Sequence, residues 1–375
     1  MKNWTLYRAA LRLLPVRGKL NETELTAGQT QTALRILRKH RCAGAALCLF
    51  DETGAARALT YGQARQGMPV RRGTPFRLAS VSKFVTALGA MKLREQGKVD
   101  LDRDVNEYLP FPVRHPRAPE TPVTLRMLLS HTAGIHDGAD YNAGIAKGVP
   151  CTALLRGDSF CDHLPGEKWE YSNFGAGIAG AVIEAVAGTE LDALLRETVF
   201  QPLGVNASCY PQRMPGGLAD ARRILPPARK PNFDAAARQA RPLPEPCVDP
   251  ERHYALAHGN VCMSAPDLCR IGAAGMTPGF LKQESLAEMR RVIAPFGERA
   301  DDLSQGIGTF VLTNPAVSAH VLYGHQGMAY GAVNGLFFDL ITKRGLVILT
   351  AGAGEARRGV LADLNRDLLA AFLKE

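Results

Sequence analysis

The sequence predicts an α+β fold in which both ends of the chain build one antiparallel sheet. Strand-like runs around a hairpin turn lie in residues 42–62, and further runs lie near the end of the chain. Residues 80–205 instead carry mostly helical patterns, interrupted by prolines. We therefore expect residues 20–79 and 303–375 to form an α/β lobe and residues 80–302 to form a mainly helical lobe.

The first predicted elements are a hairpin and a long helix. Strand-like runs at Ala45–Phe50 and Ala58–Tyr61 flank the turn sequence Asp51-Glu52-Thr53-Gly54, which is typical of a β-hairpin. Apolar residues then recur with a helical period from Ser80 to about Gly97. A buried helix is therefore predicted soon after the N-terminal strands.

The middle of the chain contains three further helix signals. Thr124–Ser130 is predicted to be a short helix, and Phe174–Ala187 a longer one that ends at a glycine. The Ser264-Ala265-Pro266-Asp267 sequence is a capping pattern that starts another helix. His131 and His136 flank a helix end, where we expect structural roles or a favourable interaction with the helix dipole.

Residues 211–250 differ from the rest of the chain. They contain nine prolines and six arginines but few large apolar side chains, so they cannot bury enough surface to form a core. The segment is either a disordered insertion or an ordered lid over the mouth of the site. We favour the lid because long loops in compact domains are often functional.

The C-terminal part returns to strand patterns. A turn at residues 342–345 separates the last two strands, and residues 356–373 are predicted to form a closing helix. The predicted strands are Gly308–Leu312, Val321–Tyr323, Val333–Ile341 and Leu346–Thr350.

The composition excludes several classes of protein. The net charge of +9 could suit nucleic acid, but the arginines are spread along the chain and no nucleic-acid-binding motif accompanies them. We therefore predict no nucleic-acid partner. No apolar run approaches the length of a membrane span, so no integral membrane segment is expected. The sequence carries no signal for an oligomeric state.

The N-terminal segment does not have the pattern of a secretion signal. Arg8 and Arg12 interrupt its apolar residues, and no small-residue cleavage site follows. We expect an amphipathic helix that docks on its own domain, with contact to a membrane surface as the alternative. The predicted location is the cytoplasm.

The eight cysteines have no metal-ligand spacing, and we predict neither a metal nor a cofactor. Without a secretion signal, reduced buried thiols are expected instead of disulfides. Cys42 and Cys48 are separated by an even number of residues, so we expect them on the same face of one strand.

Ser80 and Lys83 are the strongest candidates for chemistry. They are three residues apart at the start of a predicted helix, which places a hydroxyl and an amine on the same side. The backbone N–H of a serine in the first helical turn is also available to an oxyanion. A chance Ser-x-x-Lys sequence is common, so the assignment depends on two further motifs. They are Tyr171-Ser172-Asn173 and His325-Gln326-Gly327.

In order and spacing, these motifs resemble the serine β-lactamase/penicillin-binding protein family, in its class C β-lactamase-related branch. The resemblance runs from about residue 40 to the last helix. It implies a β-lactamase/transpeptidase-like fold with the catalytic groups in a cleft between two lobes. Further matching segments are Phe76-Arg77-Leu78-Ala79-Ser80, Leu128-Leu129-Ser130-His131-Thr132-Ala133-Gly134-Ile135, Phe200-Gln201-Pro202-Leu203-Gly204 and Met263-Ser264-Ala265-Pro266-Asp267-Leu268.

The resemblance also implies a role for each residue. Ser80 is the expected nucleophile, Tyr171 takes its proton and passes it to the leaving group, and Lys83 sustains the arrangement. The residues themselves leave both Lys83 and Tyr171 as candidate bases. A phenol beside an ammonium favours phenolate, and we treat the two groups as coupled. Asn173 is expected to hydrogen-bond Lys83 and a substrate carbonyl. The backbone N–H groups of Ser80 and Met328 form the expected oxyanion hole.

His325 is expected to face the substrate, because Gly324 and Gly327 leave room for a ligand beside it. Gly327 would let the substrate approach the strand edge closely. The alternative is an ordinary strand histidine. Lys343-Arg344-Gly345 matches the Lys-x-Gly form of the motif by letter, but it lies in a predicted hairpin turn.

A histidine in place of lysine affects the expected substrate. Imidazole is mostly neutral at pH 7, so recognition of a carboxylate should be weaker and should titrate near ~6.5. With the missing secretion signal, this disfavours a resistance enzyme or one of wall synthesis. The leading hypothesis is a serine hydrolase that forms an acyl-enzyme with a small ester, amide or peptide. The alternatives are a D-amino-acid peptidase or weak β-lactamase, and a catalytically idle ligand-binding member of the family.

Overall fold

Both ends of the chain contribute strands to one antiparallel sheet, which confirms the predicted α+β class. The structure is a computed structural model that describes residues 18–65, 67–145, 148–219, 249–251, 254–296, 302–329 and 331–374. In spatial order the strands are Leu20–Thr23 (β1), Ala56–Arg65 (β3), Gly44–Asp51 (β2), Arg344–Ala351 (β13), Ala332–Asp339 (β12), Leu322–Ala329 (β11), Phe310–Leu312 (β10), Leu303–Gln305 (β9) and Ala294–Pro295 (β8), with Met68–Pro69 (β4) beside β3.

The two chain ends meet at the pairing of β2 with β13. These strands are in register along their whole length, from Gly44 opposite Ala351 to Asp51 opposite Arg344. Both are almost entirely buried, because helices cover both faces of the sheet. Their apolar runs supply the central layer of the core. A smaller sheet contains Phe76–Arg77 (β5), Ala207–Ser208 (β6) and Cys262–Met263 (β7).

Along the chain, the helices lie mainly between the N-terminal strands and the C-terminal strands, as predicted. The short helix forms in the predicted range, with Thr124 as its cap. Gly188, in a left-handed conformation, ends the longer helix as the sequence pattern indicated. Ser264 accepts a hydrogen bond from the Asp267 N–H. The α-helices are Ala27–Lys39 (α1), Ser82–Glu95 (α2), Leu125–Leu129 (α3), Ala139–Gly144 (α4), Cys151–Leu155 (α5), Asn173–Ala187 (α6), Leu191–Leu195 (α7), Ala265–Met276 (α8), Gln283–Arg290 (α9) and Asp363–Phe372 (α10).

Three sequence-based expectations differ from the structure. The last helix begins at Asp363, not at residue 356, because Gly359 has a positive φ and Arg357 forms an isolated antiparallel β-bridge with Ala362. The strand predicted at residues 321–323 continues to Ala329, since β12 pairs with it throughout. Cys42 lies before β2 and packs on the opposite side of the sheet from Cys48. The prediction that both cysteines share one face is therefore wrong, because Cys42 is not part of the strand.

Helix α8 packs on the sheet, although it lies in the range predicted for the helical lobe. Gly272 allows this close approach: a Cβ there would lie 2.5 Å from the Phe50 ring and 2.8 Å from the Leu336 side chain. Strand β8, from the same range, is the last strand of the sheet. The sheet therefore recruits residues that the periodicity alone assigned to the helical lobe.

The predicted N-terminal amphipathic helix and most of the Pro/Arg-rich insertion lie outside the described residues, as does Cys247. The cysteines in the described ranges form no disulfide with one another. Within the same ranges, no helix has the length and apolar character needed to cross a membrane.

Candidate active site

Ser80 lies in a single 3-10 turn, Ala79–Val81, that leads directly into α2. The preceding Ala79 has a φ of 51°, a conformation that residues with a Cβ rarely adopt. Such local strain is often found at functional sites. The turn places the half-buried Ser80 in a cleft of about 560 Å³.

Lys83 lies one helical turn after Ser80, and its amine is buried between three oxygen atoms. Nζ is 3.2 Å from Ser80 Oγ, 2.8 Å from Asn173 Oδ1 and 2.7 Å from the His258 carbonyl oxygen. Burial lowers the pKa of Lys83 to about 7, and the nearby Asp137 carboxylate opposes this shift. A large fraction of Lys83 is therefore neutral at pH 7.

The contacts of Lys83 also determine where its lone pair points. A neutral amine has two N–H bonds and one lone pair, and the Asn173 Oδ1 and His258 carbonyl oxygens can only accept hydrogen bonds. The two N–H groups therefore point to these oxygens, which leaves the lone pair for the Ser80 hydroxyl. In this form Lys83 is arranged to remove the serine proton.

Tyr171 contacts Ser80 from the other side. Its hydroxyl donates to Ser80 Oγ at 2.7 Å, and Lys83 Nζ lies 4.9 Å from the centre of its ring. Burial raises the pKa of Tyr171, partly offset by the bond to Ser80. The structure therefore favours a phenol in the resting site, not the phenolate expected from the sequence, because desolvation and the nearby Asp137 carboxylate both disfavour the charged form.

Asp137 is a member of the site that the sequence motifs did not reveal. Its carboxylate accepts hydrogen bonds from Ser172 Oγ at 3.2 Å, Asn173 Nδ2 at 2.7 Å and the Phe174 N–H at 2.9 Å. It thereby satisfies the first turn of α6 and orients the Asn173 amide with Oδ1 toward Lys83. The separation of 36 residues along the chain leaves no local pattern that would identify it.

His131 supports Tyr171 from behind. Its ring centre lies 4.4 Å from that of Tyr171, and its Nδ1 accepts a hydrogen bond from the Ser172 N–H at 3.2 Å. Burial and the nearby Lys83 hold the pKa of His131 well below its usual value. The histidine is therefore neutral, so it positions the Tyr171 segment and does not supply a charge to a helix dipole.

Strand β11 forms the opposite wall and carries His325, Gly327 and Met328. Among the described strands, β10 pairs with β11 only as far as Gly324, so the edge beyond it faces the Ser80 turn. A Cβ on Gly327 would overlap the Leu78 carbonyl oxygen and lie 2.9 Å from the Ser80 backbone nitrogen. The glycine thus admits the backbone of the Ser80 turn, and not the substrate as the sequence suggested.

Replacing Gly327 with alanine is expected to separate β11 from the Ser80 turn. We expect at least a tenfold lower kcat/KM and a free energy of unfolding reduced by about 1–3 kcal/mol, as for other overpacked sites. Gly73→Ala is the matched control, because a Cβ at Gly73 meets nothing within 4 Å. Kinetics and thermal melting of both variants test this, and wild-type behaviour of Gly327→Ala would contradict the tight contact.

His325 lines the cleft but is fully buried. Its Nδ1 lies 2.6 Å from the Gln326 carbonyl oxygen, and its ring stacks on Phe310 with centres 4.1 Å apart. Burial, together with Lys83, lowers the pKa of His325 to about 3. The expected titration near 6.5 is therefore wrong, since the ring is removed from water. Lys343, from the rival motif, lies in the turn between β12 and β13 as predicted.

An aromatic wall, defined here as Trp169, Phe296, Phe310 and His325, lines one side of the cleft. The Trp169 and Phe296 rings stack with centres 4.0 Å apart, and Phe296 meets Phe310 edge to face at 5.1 Å. The structure thus combines a serine hydroxyl between an amine and a phenol with an apolar surface for part of a substrate.

Proteins that are similar to this chain over most of its length include an esterase and a penicillin-binding protein. The chain is 29% identical to the esterase EstB of Burkholderia gladioli over 96% of its own length and 98% of the relative's. It is 28% identical to penicillin-binding protein 4 of Amycolatopsis lactamdurans, over 88% and 86% of the two chains. The structure of EstCE1, described as a hydrolase with promiscuous acyltransferase activity, superimposes with a TM-score of 0.73, 24% identity and coverage of 92% and 98%.

The structural similarity to EstCE1 confirms the expected β-lactamase/transpeptidase-like fold. The family model described as Beta-lactamase matches residues 23–371, which is nearly the whole chain. The chain therefore belongs to the Beta-lactamase family, and it is a serine hydrolase of that family.

Proposed function

We propose that the protein hydrolyses small esters, and small amides more slowly, through an acyl-enzyme on Ser80. One observation carries this proposal: Ser80 Oγ lies within hydrogen-bonding distance of both Lys83 Nζ and Tyr171 Oη. A nucleophile between a basic amine and a proton donor is suited to acyl transfer. The similarity to the esterase EstB, which extends over nearly the whole chain, supports esters as the class of substrate.

The first half of the reaction assigns separate roles to the amine and the phenol. As Ser80 Oγ forms a bond to the substrate carbonyl carbon, neutral Lys83 accepts the serine proton. The backbone N–H groups of Ser80 and Met328 stabilise the oxyanion. When the bond to the leaving group breaks, Tyr171 donates its proton to the departing oxygen or nitrogen, and the Lys83 ammonium returns a proton to Tyr171.

The second half of the reaction repeats these roles with water. A water molecule attacks the Ser80 ester while Lys83 accepts its proton, and Ser80 Oγ leaves with the proton donated by Tyr171. The Lys83 ammonium then returns a proton to Tyr171, which restores the resting site. Asn173 keeps its predicted contact with Lys83, and Asp137 accepts one of the two hydrogens of its Nδ2 group. We therefore assign Asn173 to positioning Lys83, and the second Nδ2 hydrogen is the donor for the expected bond to a substrate carbonyl.

Esters without a carboxylate fit the site better than β-lactams. The resemblance places a lysine ammonium at the third motif in relatives that bind carboxylates, whereas neutral His325 occupies that position here. Leaving groups also favour esters, because an alkoxide or phenoxide departs more readily than an amide nitrogen. A cephalosporin is accordingly expected to be turned over slowly.

A panel of substrates tests this function. We expect sustained turnover of short p-nitrophenyl esters, slower turnover of D-amino-acid p-nitroanilides and little turnover of a chromogenic cephalosporin. Intact-mass spectrometry during ester turnover should detect the acyl group on Ser80. Retention of a cephalosporin label without ester turnover would instead favour a catalytically idle ligand-binding protein.

The neutral state of His325 predicts how substrate preference depends on pH. Because the pKa of His325 is about 3, its charge does not change over the pH range near neutrality. The ratio of kcat/KM for a carboxylate-bearing ester to that for its uncharged methyl ester should stay constant from about pH 5.5 to 8. A ratio that rises as the pH falls through ~6.5 would show that His325 titrates.

A further inference from the structure

Two polar atoms in the aromatic wall are buried without a hydrogen-bond partner among the described residues. They are His325 Nε2 and Trp169 Nε1, and both side chains line the cleft that contains Ser80. Buried polar atoms in native proteins are nearly always paired, so an exception needs a physical reason. In a cleft beside a nucleophile, a group on the substrate is the natural partner.

The contacts of His325 define the kind of partner it needs. Its Nδ1 faces the Gln326 carbonyl oxygen at 2.6 Å, and a carbonyl oxygen can only accept. Nδ1 therefore carries the proton. In a neutral ring Nε2 then has a lone pair and no hydrogen, so it can only accept a hydrogen bond.

The surroundings of His325 select among possible donors. Phe310 stacks on its ring at 4.1 Å, and a charged group beside this apolar surface would lose hydration. When Lys83 carries a proton, as it does after accepting the serine proton, its charge disfavours positive charge on His325 and disfavours a substrate ammonium in the same way. A substrate carboxylate is excluded because its oxygens, like His325 Nε2, can only accept hydrogen bonds.

We propose that His325 selects substrates that carry an uncharged hydrogen-bond donor, a hydroxyl or an amide N–H, on the part that lies against the aromatic wall. The proposal deepens the proposed function and rests on it. Trp169 Nε1, which can only donate, offers a second contact to an acceptor on the same substrate. At the position where the resemblance expects a lysine that donates hydrogen bonds, this chain presents an acceptor.

A series of matched esters tests the polarity of the contact in the wild-type protein. The acyl groups are phenylacetyl, with hydrogen, hydroxyl or methoxy at the meta or para position, and butyryl, with the same three groups on the β-carbon. All are p-nitrophenyl esters. A methoxy group accepts but does not donate, so it controls for size and polarity.

We expect kcat/KM for the best-placed hydroxyl ester to exceed those of its hydrogen and methoxy counterparts by about tenfold or more. This is the scale on which an unpaired buried acceptor disfavours the competing substrate. If no hydroxyl ester exceeds both counterparts by about threefold, the proposal is overturned. Equal kcat/KM values for the hydroxyl and methoxy esters would mean that a donor on the protein makes the contact, which would also overturn the proposal.

Two ring-conserving variants then locate the effect. His325→Phe keeps a ring against Phe310 but removes the acceptor, so the preference for hydroxyl over hydrogen should fall to about one. Trp169→Phe removes the neighbouring donor while it keeps an aromatic, though smaller, ring beside Phe296, and it should keep that preference. Unchanged hydroxyl preference in a folded His325→Phe protein, checked by thermal melting, would assign the preference to another residue and refute the proposal. Loss of ester turnover by the whole panel in the wild type would refute the proposed function instead.

Discussion

Ser80→Ala is expected to reduce ester hydrolysis by at least ~10³-fold, because it removes the attacking oxygen and leaves only binding and the oxyanion contacts. The acyl adduct seen by intact-mass spectrometry should disappear in the same variant. Deleting one half-buried hydroxyl creates little cavity, so the melting temperature should change little. Steady-state kinetics, mass spectrometry and thermal melting measure these three effects.

The matched control for this variant is Ser285→Ala. Ser285 is buried in α9, outside the residues that line the cleft, so its replacement should leave turnover at the wild-type level. Turnover by Ser80→Ala within tenfold of the wild type would reject Ser80 as the nucleophile. Loss of activity in both variants would point to a general folding defect.

Lys83→Met is expected to lower kcat/KM by roughly 10²–10⁴-fold, the usual scale for loss of a general base. In the wild type, kcat/KM for a neutral ester should rise with pH through about 7, because the amine accepts the serine proton only when it is neutral. The variant should lack this rise. Lys98→Met, which replaces an exposed lysine, is the control and should retain the wild-type profile.

The same substitution should increase stability. The pKa of Lys83 is about 7 in the folded protein and near ~10.4 in an unfolded chain. Between these values the unfolded chain binds more protons, so the wild type gains stability as the pH rises through this window. Below about pH 7 the full destabilisation by the buried amine is present.

Lys83→Met removes this destabilisation. Its melting temperature should exceed that of the wild type most clearly at about pH 6, and the difference should shrink toward about pH 10. An equal or lower melting temperature at pH 6 would show that the amine is not held in an unfavourable environment. Such an exchange of stability for chemistry is common at active sites.

The sequence by itself was sufficient for features that depend on near neighbours. The spacing of Ser80 and Lys83 already places both on one side of a helix, and the structure joins them at 3.2 Å. The capping residues Thr124 and Ser264 and the terminal Gly188 set helix ends that the structure confirms. These features follow from local hydrogen bonds and periodicity, which do not depend on the rest of the chain.

Only the tertiary structure decided the electrostatics and the polarity of the cleft. Asp137 reaches the Asn173 segment from a distant part of the chain, and no local spacing encodes that contact. The pKa values of Lys83 and Tyr171 shift because packing removes both groups from water, and the sequence motifs carry no measure of burial. His325 presents an acceptor because its ring stacks on the distant Phe310 with Nδ1 directed to the carbonyl oxygen of the neighbouring Gln326, which leaves Nε2 without a proton. Desolvation and the choice of hydrogen-bond partners are properties of the assembled core. The motifs therefore predict which residues meet, and the fold determines the protonation state and the hydrogen-bonding role of each residue.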